Sequence, residues 1–160
     1  MLPVALDAMG GDKAPDEIVA GAHRAVAELG VAVALVGQPE VLRPIAGDLE
    51  IIPASEVIPM SADPGASVRR MKDSSLVRAA EAVRDGKAFA MISAGNTGAT
   101  MASALLRMGR IKGVSRPAIA TPIPVPGHEP TVLLDAGANA ECQAEWLLQF
   151  AQMGAVFARD

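Results

Sequence analysis

Short apolar runs closed by glycine, proline or an acidic residue alternate along this chain with stretches in which apolar positions recur every three or four residues. Pro3 to Leu6 reads as a first strand. Ile18, Val19, Ala22, Ala25, Val26 and Leu29 then fall at helical spacing, with Pro15 near the start and Gly30 at the end. Val31 to Val36, closed by Gly37, predicts a second strand, Glu40 to Ala46 a short helix, and Glu50 to Ile52 a third strand. Phe89 to Ile92, Ala118 to Ile123 and Val132 to Leu134 predict further strands, and Ser74 to Arg84, Thr97 to Met108 and Glu141 to Met153 predict helices. Strands alternating with helices through glycine-rich turns specify an α/β fold with a parallel sheet covered on both faces.

Two segments break the rhythm. Pro59 to Asp73 (PMSADPGASVRRMKD) is polar and punctuated by proline and glycine, and reads as a long loop of the kind that often carries function. Thr121 to Pro130 (TPIPVPGHEP) holds four prolines and reads as an extended edge or a turn. With no internal repeat and no clean boundary, residues 1–160 are expected to form a single α/β domain. The last residues, GAVFARD, begin an element that reads as continuing, so the chain is expected to be the N-terminal portion of a longer one.

Composition narrows the core. Hydrophobic residues make up 51% but aromatic residues only 2%, so Ala, Val, Leu, Ile and Met must fill the space between sheet and helices. The single cysteine, Cys142, excludes an internal disulfide and a cysteine-based zinc site, and fits a reducing cytoplasm. A formal net charge of −4 and the near-absence of aromatic stacking platforms argue against nucleic acid as a partner. No stretch approaches the ~18 apolar residues of a spanning helix. The opening MLPVALDAMGGDK lacks a basic start and meets Asp7 too early for a signal peptide. These features together predict a soluble, cytoplasmic protein.

The candidate chemistry lies in three turns of one design: VALDAMGGD (Val4 to Asp12), FAMISAGNTGAT (Phe89 to Thr100) and VLLDAGANAE (Val132 to Glu141). In each, a strand stops at small polar residues and glycines before a helix-compatible segment. Such a turn leaves backbone N–H groups exposed at a helix N-terminus, where negative charge is favoured. Ligands of open α/β sheets bind outside the carboxyl ends of the strands, so all three turns are expected along that edge if the sheet is parallel. They offer Asp7, Asp12, Ser93, Asn96, Thr97, Asp135 and Asn139 beside glycine amides. That set suits holding a small oxyanion and a polar reactant, and contains no evident charge-relay nucleophile.

The chain lacks GxxxxGK[ST], GxGxxG after the first strand, and a GxSxG elbow. Asp7 and Asp12 without a histidine make a poor transition-metal set, and neither metal nor cofactor is expected. Each turn also has a purely structural reading: DAMGGD as a tight turn with an aspartate helix cap, SAGNTGAT as scaffold, DAGAN as a turn capped by Asn139. His23 reads as a helix-surface residue, His128 as a loop histidine, Cys142 as packing. Arg69, Arg70 and Lys72 read as a solvated face or as a cluster that steers an anionic partner.

Four strings carry a resemblance. VALDAMGGDKAPDEIVAGA at the N-terminus, VRRMKDSSL at Val68 to Leu76, ISAGNTGATMASALLRMGRIKGVSRPAIA at Ile92 to Ala120, and LLDAGANAEC at Leu133 to Cys142 together resemble the bacterial phosphate acyltransferases, the PlsX family. The match runs in order through nearly the whole chain. The resemblance implies a three-layer α/β/α sandwich related to isopropylmalate dehydrogenases and phosphotransacetylases. It implies transfer of a fatty acyl group from acyl carrier protein to inorganic phosphate, giving acyl phosphate for phospholipid synthesis. It also implies a homodimer and peripheral association with the membrane beside a glycerol-3-phosphate acyltransferase. Phosphate is already an anionic nucleophile, so positioning and oxyanion stabilisation suffice for the chemistry. In this reading Gly95, Asn96, Thr97 and Gly98 bind phosphate with Ser93. Asp7, Gly10, Gly11 and Asp12 shape the opposite wall, and Asp135, Gly137 and Asn139 complete the floor. Asn96, Asp7 and Asp135 are the catalytic candidates, and Arg69, Arg70 and Lys72 would meet the acidic carrier. Family members are considerably longer than this chain. An acyl-coenzyme A enzyme of phosphotransacetylase type and a non-catalytic phosphate- or acyl-binding module are the alternatives.

Overall fold

The computed structural model describes residues 1–159, which divide into two compact units, Met1–Gly109 and the segment from Arg110 onward. In the first unit, β1 (Val4–Asp7), β2 (Val33–Gly37), β3 (Glu50–Pro53) and β4 (Ala90–Ile92) form a four-stranded sheet in the order β3-β2-β1-β4. Every pairing is parallel, with Ala5 opposite Ala34 and Met91, and Leu6 opposite Leu35 and Ile92. The period-two alternation of a strand sends these two rows to opposite faces.

One face is covered by α1 (Asp16–Leu29) and α2 (Pro39–Leu42), whose Val19, Ala22 and Leu42 pack with Leu35, Leu6 and Ile51. The other takes α4 (Ser75–Arg84), whose Ala79 and Ala82 meet Ala5, Val36 and Met91. Behind α4, α3 (Pro64–Arg70) and α5 (Thr97–Arg107) contribute Val68 and Ala99 to a cluster with Leu76 and Val77. The result is the expected α/β/α sandwich around a parallel sheet. Alanine is the dominant core residue, and its small side chain sets how closely helix and sheet approach. Close-packed interiors tolerate extra methylenes poorly, so these positions are specified by size.

The helix ends follow local chemistry. Gly30 closes α1 at φ 65° with its N–H on the Val26 carbonyl, the left-handed cap that glycine adopts without strain. Asp63 starts α3 by accepting the Ala66 N–H at 2.7 Å, and Pro64 occupies the first turn. This helix lies inside the segment read from sequence as an unbroken loop. Seven residues give too few repeats for periodicity to register, and the Asp63–Pro64 start signal was the available cue.

The second unit bears out the reading of the proline-rich segment as an extended edge and corrects where the following strand begins. β5 (Ala120–Val125) and β6 (His128–Leu134) form an antiparallel hairpin, with Gly127 at φ 75° in its turn and a register shift between Ile123 and Val125. The proline-rich segment is therefore largely strand, and β6 begins at His128 rather than Val132. A two-stranded sheet has only edges, so the prolines remove few ladder donors. α6 (Ala144–Phe157) packs against β6. Among the described residues no helix is long and apolar enough to cross a membrane.

Candidate anion site at the carboxyl edge of the sheet

Because β1 and β4 are parallel neighbours in register, the chain leaves both strands side by side at the same edge. The last residue of β1, Asp7, is 1% exposed. Its Oδ2 accepts the Ser93 hydroxyl at 2.7 Å and its Oδ1 accepts the Met9 N–H at 3.2 Å. Ser93 gives its one proton to Asp7, and its Oγ accepts the Gly95 N–H at 3.0 Å. A carboxylate out of water is costly unless it is hydrogen-bonded, and these contacts supply that compensation. The same contacts fasten the first turn to the second.

Glycine makes the fastening possible. A Cβ on Gly10 would press into Asp7 Oδ2 and stand 2.8 Å from Ser93 Oγ and 2.9 Å from the Gly95 nitrogen. Gly11 adopts φ 114°, a conformation that favours glycine. The two turns thus meet backbone against backbone.

Asn96 begins α5. Its Oδ1 accepts the Ala99 N–H at 2.9 Å, and its Nδ2 lies 3.0 to 3.2 Å from the carbonyls of Pro59, Met60 and Ala62. The side chain is 6% exposed and wholly committed to protein partners. It caps the helix and holds the 59–62 loop, so as a direct ligand of phosphate it has no donor to offer. Two residues on, a Cβ at Gly98 would stand 2.6 Å from Pro64 Cγ, so the first turns of α5 and α3 are in close contact.

Among the described residues the N–H groups of Thr97 and Gly98 have no protein acceptor, nor do those of Gly10, Gly11 and Asp12. Thr97 and Asp12 are exposed. Free amides in the first turn of a helix make an anion site through their dipoles. Asp7 opposes that attraction, but its charge is turned toward Ser93 and Met9. Arg69 and Arg70, in the last turn of α3, and Lys72 beyond it are all exposed.

The third turn, in the second unit, is a closed staple. Asp135 accepts the N–H groups of Ile119, Ala138 and Asn139 at 2.8 to 3.0 Å and the Asn139 side-chain amide at 2.9 Å. Asn139 Nδ2 also donates to the Pro117 carbonyl at 2.9 Å, and Gly137 turns the chain at φ 108°. Burial tends to raise the Asp135 carboxyl, but the donors from Ile119, Asn139 and Ala138 outweigh it and hold the group below its ordinary value. The expectation that all three turns share one parallel edge fails here. β6 belongs to an antiparallel hairpin, and the Asp135 turn satisfies itself.

The sequence nominated Ser93, Asp7 and the glycines. It missed the 59–62 loop as a partner of Asn96, for which no local signal exists. Among the described residues no group of three or more His, Cys, Asp or Glu is placed to hold a metal ion.

Comparison with known proteins adds an independent line. A family model described as "Fatty acid synthesis protein" matches residues 2–160. Curated relatives named phosphate acyltransferase include those of Dictyoglomus turgidum, 46% identical over 99% of this chain, and Heliobacterium modesticaldum, 48% identical over 97%. The relative from Leptospira biflexa is 47% identical over 98%. The chain spans about half the length of these relatives, 49%, 48% and 48% respectively.

Proposed function

The chain belongs to the fatty acid synthesis protein family, and we propose that it carries the phosphate-binding part of an acyltransferase acting in phospholipid synthesis. The acyl donor in this reading is acyl carrier protein and the acceptor is inorganic phosphate. A phosphate oxygen attacks the thioester carbonyl, a C–O bond forms, the C–S bond breaks, and the carrier thiol leaves with a proton. Supporting it are the relatives' name and the observation that carries the reading. Two glycine turns are locked together by Asp7 and Ser93 beside unpaired amides at the start of α5.

In this reading phosphate meets the N–H groups of Thr97 and Gly98 and the Thr97 hydroxyl, with Gly10, Gly11 and Asp12 as the facing wall. Preset donors of this kind need no reorganisation as charge develops, which is where most electrostatic catalysis arises. Asp7, Ser93, Gly95 and Asn96 are positioning residues. They fix the turns without touching substrate. Asp135 and Asn139 hydrogen-bond within their own loop, in which Gly137 makes the turn. Arg69, Arg70 and Lys72 form the surface for an acidic carrier. Homodimer formation, work in the cytoplasm, and peripheral contact with a membrane glycerol-3-phosphate acyltransferase complete the proposal on the resemblance of the four motif strings.

The test is acyl phosphate formation by this chain, trapped as hydroxamate, with acyl carrier protein and acyl-coenzyme A supplied in parallel. Turnover with the carrier thioester and a loss of at least tenfold in Gly98→Ala are expected. Turnover confined to the coenzyme A thioester identifies a phosphotransacetylase-like enzyme. Phosphate binding without turnover on either donor leaves a binding module.

A further inference from the structure

We propose that the loop from Arg110 to Ser115 is a second anion site, one that takes the phosphate group of a phosphate ester. The loop lines a shallow basin of about 520 Å³ that is open to solvent. It lies wholly in the second unit.

The loop is built to hold its shape. Val114 N–H donates to the Ile111 carbonyl at 3.0 Å, and Arg110 Nη1 donates to the Ser115 carbonyl at 2.8 Å, closing the loop on itself. Gln149 of α6 pins it from below. Its Oε1 accepts the Ser115 N–H at 2.8 Å and its Nε2 donates to the Gly113 carbonyl at 3.2 Å. Immediately beyond, Arg116 sits over the Trp146 ring at 4.7 Å, a cation–π contact that fixes the exit of the loop.

Arg110 spends Nη1 on the Ser115 carbonyl, but the other donors of its guanidinium and the Lys112 ammonium have no protein acceptor among the described residues. Among the described residues neither Arg110 nor Lys112 pairs with a carboxylate. The N–H groups of Ile111, Lys112 and Gly113 likewise have no protein acceptor among the described residues. From Gly86 to His128 the sequence contains no aspartate or glutamate at all. Guanidinium, ammonium and three successive amides exceed what a two-oxygen carboxylate engages, and match the three terminal oxygens of a phosphate monoester. Ile111, 76% exposed on the rim of the basin, adds an apolar contact for the carbon side of an ester. An ester is therefore favoured over the free ion.

Titration of the ¹⁵N-labelled 160-residue chain with inorganic phosphate, n-butyl phosphate and phosphatidylglycerol vesicles tests the proposal. Amide shifts at residues 110–116 are expected with both soluble ligands, with tighter binding of the ester. The Arg110→Ala/Lys112→Ala variant should bind n-butyl phosphate at least about tenfold more weakly. The charge-keeping Arg110→Lys/Lys112→Arg variant should stay within a few-fold, and circular dichroism of both variants reports that they are folded. Unchanged ester affinity in the double alanine variant overturns the proposal, as do shifts confined to residues 10–12 and 95–98. Binding to vesicles but to neither soluble ligand also overturns it, in favour of a membrane contact. Loss of shifts at 95–98 alone bears on the phosphate site of the first unit and leaves this one standing.

Discussion

Ser93 donates its hydroxyl to the buried carboxylate of Asp7 at 2.7 Å across 86 residues of sequence, and this one contact joins the ends of β1 and β4. Everything proposed for the first unit depends on that junction, because it decides where the free amides at the start of α5 stand. Removing the hydroxyl leaves Asp7 Oδ2 and the Gly95 N–H without partners. Ser93→Ala should therefore lower stability by about 1–3 kcal/mol, the usual penalty for stranding a buried polar group. Urea unfolding measures it, and a shift near zero would show that the turns are held by other means.

Two glycine-to-alanine changes should have opposite signs. At Gly10 a methyl group meets Asp7, Ser93 and the Gly95 backbone. The turns must separate at a cost of roughly 1–3 kcal/mol, with loss of phosphate binding. At Gly21, within α1, a methyl meets nothing within 4 Å. There Gly21→Ala should stabilise by about 0.5–1 kcal/mol through helix propensity. The pair is read by thermal unfolding of the two variants side by side.

At Asn96 the isosteric change should be the worse one. Asn96→Ala loses the cap and the three carbonyl contacts, a cost of about 2–4 kcal/mol summed over a cap and a buried amide. Asn96→Asp keeps a cap acceptor but turns a carboxylate oxygen toward the carbonyls of Pro59, Met60 and Ala62. Like partial charges without an intervening proton repel, so at neutral pH aspartate should destabilise more than alanine. Amide exchange in residues 59–62 should rise in both variants. An aspartate variant as stable as the parent refutes the latch.

Asp135 gives a pH dependence of known sign. Its carboxyl is held below the ordinary value of 3.8 by the donors that surround it, despite burial acting the other way. A depressed folded pKa contributes stability that is present above the unfolded value. That stability is lost as pH falls from about 4 through the lower folded value. Unfolding free energies measured between pH 2 and 6 should therefore fall more steeply in the parent than in Asp135→Asn. Parallel curves would show that this carboxylate does not carry the effect.

Much of the first unit was legible in the sequence because its determinants are local. Apolar runs of three to six residues, amphipathic spacing and a glycine cap each act over a few positions, and they locate β1, α1, β2, β4 and α5 closely. α3 was not legible, since a seven-residue helix shows too little periodicity beside its Asp63–Pro64 start. The antiparallel direction of β6 was not legible either. Val132 to Leu134 reads the same in either sense, and the pairing partner alone sets the direction.

The residues of the candidate site were visible as a set of small polar side chains and glycines at strand ends, but their division of labour was not. By itself the sequence determined that β1 and β4 end in glycine turns able to expose backbone donors. Only the tertiary structure decided that Asp7 faces Ser93, and that Asn96 spends its amide on the 59–62 loop. It also decided that Asp135 closes upon its own turn. The physical reason is range: propensity and patterning act between near neighbours. Whether a polar group is free for a ligand depends on partners that only the folded chain brings within hydrogen-bonding distance.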